Sequence, residues 1–197
     1  MSGLELLYYL PLSVVIICWF IFATAFIFRK QPPKAKEEKR DSKALIGIIL
    51  EGIAYAIVWT FRRDTAYLVA YPGVTFDIII AVITIILAIA SVWLTITAIK
   101  TLGKQWAIAA RVVEDHRLIT SGPYRLVRNP IYSGMFGMLI ATALAFSTWY
   151  ALLIAVGIFW FGTMIRVRIE EKLLRETFGA AFDDYAASVP PLIPKLF

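Results

Sequence analysis

The sequence predicts an all-α integral membrane protein with five transmembrane helices, the last two forming a helical hairpin that leads into a C-terminal helix on the cytoplasmic side. Three observations carry this. Of 197 residues, 60% are hydrophobic and only 17% charged, whereas a soluble chain is roughly half apolar and a quarter charged. The apolar residues gather into runs of the length, roughly 20 residues, that crosses a hydrocarbon core about 30 Å thick. The basic residues, which give a formal charge of +6, sit in short blocks between these runs, where they suit anionic lipid headgroups better than nucleic acid.

The first run extends from Tyr8 to Phe28. No Lys or Arg precedes it and no small-residue cleavage pattern follows, so it reads as a retained helix rather than a signal peptide. The sole cysteine, Cys18, lies inside it, which rules out an intrachain disulfide. With a single histidine as well, a His/Cys metal site is not expected. The following loop, residues 29–43, is basic, broken by two prolines and solvated, with some attraction to the lipid surface. A second run covers Ala44 to Phe61 and contains Glu51. An ionisable group inside a span is a functional hypothesis by default, and a buried hydrogen bond or salt link to a neighbouring span is an equal reading. The third run covers Phe76 to Ile99. The last apolar region, Ile131 to Ile165, is too long for one helix and is interrupted at Ser147, Thr148 and Trp149, so it divides into two helices of about 17 residues. The chain thus separates into residues 1–100, with three helices, and residues 101–197, with the hairpin, its preceding loop and a C-terminal helix.

Orientation follows from the distribution of Lys and Arg in the flanking loops. With five spans, loop one, loop three and the C-terminal tail lie on the same side and together hold eighteen of the twenty basic residues. Only Arg62 and Arg63 fall on the other side. The side that holds the eighteen is cytoplasmic, and the N-terminus is then outside. In a prokaryote the membrane would be the cytoplasmic membrane.

The polar residues of the second part concentrate in SGPYRLVRNPIYSG, Ser121 to Gly134. Gly122 and Pro123 favour a sharp turn. Pro130 suits the first turn of the fourth helix, with Asn129 as its N-cap, and a helix N-terminus facing a polar site attracts anions. Gly134 and Gly137 allow a ligand or another helix to come close. An interfacial loop, with Arg125 and Arg128 at headgroups and Tyr124 and Tyr132 in an aromatic belt, is the competing reading. A second cluster follows the fifth span. Arg166 and Glu170 are four residues apart, as are Glu171 and Arg175. They are either exposed ion pairs worth a few tenths of a kcal/mol or groups that meet the first motif and offer charges of both signs to one ligand.

The order of HRLITSGPYRLVRNPIYSG, a helical hairpin, R-x-x-x-E-E-x-L-L-x-x-x-F-G-x-x-F-x-x-Y and a proline-containing tail resembles the isoprenylcysteine carboxyl methyltransferase family, whose relatives include membrane phospholipid methyltransferases. The resemblance covers His116 to Pro194. It implies a membrane enzyme that uses S-adenosylmethionine, releases S-adenosylhomocysteine and has no Rossmann domain. By motif position, His116, Arg117, Leu118 and Ile119 line the cofactor pocket, completed by Tyr124, Asn129, Pro130, Ile131 and Tyr132. Glu170 is its carboxylate, with Glu171 beside it, and Arg166 faces the methyl acceptor. Gln105, in GKQWAIAARVVED, is a candidate for a further polar contact. The family pattern R-H-P-x-Y-x-G stands here as Arg128-Asn129-Pro130-Ile131-Tyr132-Ser133-Gly134. Asn129 keeps hydrogen-bonding capacity but cannot titrate near neutrality.

The implied reaction needs little from the protein beyond position and field, because a sulfonium methyl is already activated. A carboxylate acceptor is ionised at neutral pH and needs no general base, so a lipophilic or lipidated carboxylate steered by Arg166 is the first expectation. A phospholipid or other amine must lose a proton, for which Glu170 or Glu171 is the recipient. A non-catalytic membrane scaffold or transporter, and a nicotinamide-dependent sterol-reductase-like enzyme, are the readings of other classes. Membrane lipids are the expected surroundings; neither nucleic acid nor a metal is expected.

Overall fold

In the computed structural model, the described residues are 3–27, 43–63, 73–103 and 117–194, and all of their regular secondary structure is helical. Six α-helices follow in order: α1 (Gly3–Ile27), α2 (Lys43–Thr60), α3 (Val74–Leu102), α4 (Pro130–Phe146), α5 (Trp149–Phe178) and α6 (Ala180–Ser188). A short 3-10 turn, Gly122–Arg125, precedes α4. Among the described residues, three helices are long and apolar enough to cross a membrane: Tyr8–Ile27 within α1, α3 and α5. The apolar part of α2, Ala44–Thr60, and α4 are shorter. At 1.5 Å per residue the 17 residues of α4 rise about 26 Å.

Along their apolar runs, which in α5 end at Ile165, these helices are hydrophobic on all sides, a pattern that marks a helix surrounded by other apolar matter. Large side chains such as Phe20, Ile86, Trp93, Leu153 and Phe161 project outward from α1, α3 and α5. In water such a surface would drive aggregation, whereas in a bilayer it is the lipid-facing side. The protein is accordingly an integral membrane protein.

Helix pairing relies on small residues, because lipid provides no hydrophobic drive for one span to join another. α4 packs closely on α3 where Gly134 and Gly137 face Thr95 and Ser91. A Cβ on Gly134 would sit 2.0 Å from the Thr95 hydroxyl, and one on Gly137 2.3 Å from that of Ser91. The close approach these glycines allow is therefore to another helix. α2 and α5 meet at Gly47 and Gly162, where a Cβ on Gly162 would lie 2.9 Å from the Gly47 carbonyl oxygen.

Ser147 and Thr148 alone separate α4 from α5. There the Arg63 guanidinium donates to the carbonyls of Leu144, Ala145 and Ser147 at 2.8–3.0 Å, satisfying the last-turn acceptors that a helix C-terminus leaves open. Ser147 Oγ donates to the Val58 carbonyl at 2.7 Å, and Arg62 lies over the rings of Trp59 and Phe146. The two arginines that the charge count assigns to the opposite side thus have structural work at this end of α4. α5 continues well past Ile165, where its apolar run ends, and stops at Phe178; Gly179 turns the chain into α6.

Candidate functional site

The other end of α4 carries the polar cluster. Gly122, at φ +60, makes the turn that its neighbour Pro123 favours. The 3-10 segment that follows buries Pro123 and Tyr124. Asn129 occupies the N-cap position of α4 but makes no side-chain cap. Its amide group donates instead to Glu171 Oε1 at 3.1 Å and to the Pro191 carbonyl at 3.2 Å. The reason is the C-terminal segment, which runs alongside: the backbone N–H groups of Arg128 and Asn129 donate to the carbonyls of Pro190 and Pro191 at 2.8 and 3.0 Å. Ser133 Oγ donates to the Leu192 carbonyl at 2.5 Å.

Arg128 is the clasp of this arrangement. Its Nε and Nη2 reach the two Glu171 oxygens at 2.8 and 3.1 Å, a bidentate pair, while Nη1 donates to the carbonyls of Ala186 and Val189. Both ion-pair partners are only about one-eighth exposed, 12% and 14%. Glu171 is thus held by Arg128 from outside its own helix, and Arg175 pairs with Asp183 at 2.6 Å, so the expected Glu171–Arg175 pair gives way to two longer-range ones.

Beside the clasp lies a cleft of about 70 Å³ whose wall includes Leu118, Ile119, Tyr124, Arg128, Asn129, Glu171 and Tyr185. Tyr185 donates to the Tyr124 carbonyl at 2.6 Å. Burial pushes the Tyr185 phenol up to about 12, partly offset by the Arg128 charge, and burial raises that of Tyr124 well above its ordinary value. Both phenols are therefore neutral near pH 7, and the Tyr185 hydroxyl retains its proton to donate.

A second constellation adjoins it. Tyr132 donates a short hydrogen bond to Glu170 Oε1. The Arg166 guanidinium sits 4.8 Å from the centroid of the Tyr132 ring and 3.8 Å from Glu170 Oε1. On its other side Arg166 Nη1 contacts Glu51 Oε2 at 2.8 Å, and Thr163 Oγ1 donates to Glu51 Oε1 at 3.0 Å. From Tyr132 and Thr163 an apolar groove of about 200 Å³ opens along α4 and α5, lined further by Phe136, Phe159 and Trp160, with Leu192, Ile193 and Pro194 of the C-terminal segment across it.

The structure thus brings together most of the residues singled out in the sequence. Leu118, Ile119, Tyr124, Asn129 and Glu171 share the polar cleft, and Tyr132, Arg166 and Glu170 form the adjoining network. Pro130 is buried behind them, Ile131 is half-buried and Arg117 is exposed. Gln105 and His116 lie outside the described residues. Five participants were not among the sequence candidates for the site: Arg128, Ser133, Thr163, Tyr185 and Glu51. For Glu51 the signal existed, a carboxylate within an apolar run; its pairing with Arg166, 115 residues away, had none.

An all-helical membrane protein with a carboxylate-bearing cleft at one end and an apolar groove beside it is the class that this fold and site define. The profile of the phospholipid methyltransferase family matches residues 79–181, about half of the chain, and the chain belongs to this family. It is 28% identical over 149 residues to protein-S-isoprenylcysteine O-methyltransferase B of Arabidopsis thaliana, covering 75% of the chain and 76% of that relative. It is 32% identical over 99 residues to the protein-S-isoprenylcysteine O-methyltransferase of Saccharomyces cerevisiae, covering 49% of the chain and 41% of the relative. Over 98 residues it is also 32% identical to the nickel-cobalt-cadmium resistance protein NccN of Alcaligenes xylosoxydans, covering 49% of the chain and 45% of that protein. The resemblance to the isoprenylcysteine carboxyl methyltransferases read from the motifs is borne out by these relatives.

Proposed function

We propose that the protein transfers a methyl group from S-adenosylmethionine to a lipophilic acceptor in the bilayer, first of all the carboxylate of an isoprenylcysteine-like substrate. The observation that carries the reading is the place of Tyr132. Its ring lines the apolar groove while its hydroxyl bonds Glu170, whose chain neighbour Glu171 lines the cleft. A lipid chain and a charged cofactor can therefore meet across one side chain.

The residues present fit such a cofactor in kind. Glu170 and Glu171 offer negative charge to an ammonium or sulfonium group, Asn129 and the backbone around it offer hydrogen bonds, and Leu118, Ile119 and Tyr124 offer apolar surface to a flat ring. When bound, the cofactor supplies an activated methyl on a sulfonium. The chain's part is to orient the acceptor against it and exclude water. Arg166, packed against the Tyr132 ring that lines the groove, would hold an acceptor carboxylate. Asn129 carries no titratable proton, and a carboxylate acceptor requires none to be moved.

A second reading, an amine acceptor such as a phospholipid headgroup, is favoured by one observation: two carboxylates, Glu51 and Glu170, already face the single Arg166. An amine would not add a third acid, and Glu170 could receive its proton.

With this function goes a topology in which α2 and α4 also cross the bilayer, giving five spans, with the N-terminus outside and the site and C-terminus cytoplasmic. Residues 101–197 would form the catalytic region, preceded by three helices in residues 1–100, with Gln105, His116 and Arg117 completing the cofactor pocket. Calorimetry of S-adenosylhomocysteine on purified protein in detergent, with Glu170→Ala and Tyr132→Ala alongside, tests the cofactor assignment. Micromolar binding lost in both variants supports it; no binding by folded wild type refutes it. Turnover on S-prenylated cysteine acids against lipid amines then separates the two acceptors.

A further inference from the structure

Glu51 belongs to a part of the chain that the family profile does not reach, yet it ends against the proposed acceptor arginine. It is 3% exposed, on an otherwise apolar helix, where a carboxylate is costly unless charge and hydrogen bonds compensate it. Both oxygens are used: Oε2 accepts from Arg166 Nη1 at 2.8 Å and Oε1 from Thr163 at 3.0 Å.

The α2–α5 seam explains how this contact arises. Gly47 lies one turn before Glu51, and Gly162 one turn before Arg166, so the glycine contact and the ion pair share one line. A Cβ at Gly47 would lie 2.4 Å from Cγ of Arg166, and one at Gly162 2.8 Å from Cβ of Leu50. The glycines let the backbones approach until Glu51 reaches the guanidinium. Arg166 is then bounded on three sides, by Glu51, by the Tyr132 ring and by Glu170 at 3.8 Å. Of the two carboxylates Glu51 makes the tighter contact, which draws the guanidinium toward α2 and leaves Glu170 to the Tyr132 hydroxyl.

We propose that Glu51 is a positioning residue for acceptor binding, anchored by the groove-lining Thr163, which keeps Arg166 against the Tyr132 ring at the groove wall and apart from Glu170. This rests on the methyltransferase reading and adds to it a residue from the N-terminal half. Without Glu51, Arg166 can close on Glu170, its neighbour one turn along α5, and leave the acceptor without its partner.

The test uses the full chain in detergent with an S-prenylated cysteine acid as acceptor, measuring turnover and, by calorimetry, acceptor affinity in the presence of S-adenosylhomocysteine. Glu51→Gln is close in shape but uncharged. It should raise the acceptor KM by about tenfold or more with a smaller change in kcat, since a misplacement of about 1 Å at a reacting group can cost up to 10²-fold. Thr163→Val, which removes the anchor and keeps the charge, should have a smaller effect in the same direction. On an Arg166→Gln background, Glu51→Gln should change acceptor affinity by less than about twofold, because a residue acting through another has nothing left to position.

Two results overturn the proposal: a Glu51→Gln protein with lowered thermal stability but unchanged acceptor KM, or equal losses of affinity with and without Arg166. Failure of wild type to bind S-adenosylhomocysteine or turn over the acceptor overturns the functional reading, and this proposal with it. Normal wild-type turnover with an indifferent Glu51→Gln sinks the proposal alone.

Discussion

Replacing Arg128 by alanine should open the C-terminal segment while leaving the rest of the helical bundle in place. The guanidinium works in two directions: Nε and Nη2 hold both oxygens of Glu171, and Nη1 ties down the carbonyls of Ala186 and Val189. Alanine leaves the nearly buried Glu171 with the Asn129 amide group as its donor. Breaking a buried pair by removing one partner costs about 3–5 kcal/mol, and the residual exposure of both groups here argues for the lower end, about 3 kcal/mol. At about 1.4 kcal/mol per tenfold, a loss of this size falling on the local opening equilibrium raises its constant by about 10²-fold. The amides that report it are those of Arg128 and Asn129, which donate to Pro190 and Pro191. Hydrogen exchange followed by mass spectrometry on peptides that begin several residues before Arg128 and on peptides covering residues 189–194 should show the acceleration. Peptides around Arg63 and Ser147, at the other end of α4, should exchange as in wild type. Arg128→Lys should recover only part of the protection, since a single ammonium cannot span both sets of acceptors. Exchange within about twofold of wild type in the segment, or equal acceleration at both ends of α4, would refute the assignment of Arg128 as a local clasp.

Other expectations concern packing, caps and pH. Gly162→Ala places a methyl 2.8 Å from Cβ of Leu50 and should cost about 1–3 kcal/mol through overpacking, whereas Gly157→Ala, with nothing within 4 Å, should leave the melting temperature in detergent unchanged or slightly higher. Arg63→Ala removes three donors from the last turn of α4 and should lower thermal stability without altering affinity for S-adenosylhomocysteine; a change in affinity alone would contradict its placement. Tyr185 should contribute a pH-dependent increment. Its folded value near 12 lies above the ordinary phenol value of about 10, so its contribution is complete below about pH 10 and is lost as pH rises toward 12. The stability gap between wild type and Tyr185→Phe should therefore hold constant below about pH 10 and narrow between about pH 10 and 12, and a gap that widens would reverse the sign of the shift.

How far the sequence foretold this structure depends on the range of the interaction concerned. The apolar runs located the helices because their lengths are set by the chain itself, and Ser147–Thr148 was legible as a break because two polar residues interrupt a long run. The end of α5 was not legible from hydropathy: past Ile165 the helix turns charged, yet it runs on to Phe178 with its polar side chains engaged elsewhere. Local spacing suggested Glu171 with Arg175, but their partners are Arg128 and Asp183, since a bidentate contact with a nearly buried arginine outweighs an exposed i,i+4 pair. Asn129 stood where a cap belongs, and only the path of the Pro190–Pro191 segment turned its amide elsewhere. The motif residues from Leu118 to Tyr132 did gather as their order implied. Glu51 announced itself as a buried acid, while its attachment to α5 depended on two glycines whose role shows only when the helices are side by side.

The place of Tyr132 has a thermodynamic consequence. Its ring lines the apolar groove and its hydroxyl is committed to Glu170, so a ligand that shifts the ring also alters the carboxylate bonded to it. Binding free energies coupled in this way are reciprocal: whatever factor a groove ligand imposes on a ligand of Glu170, that second ligand returns to the first. Tyr132 is in that sense a single lever with two ends, and the order in which the two sides fill cannot change the total free energy of filling both.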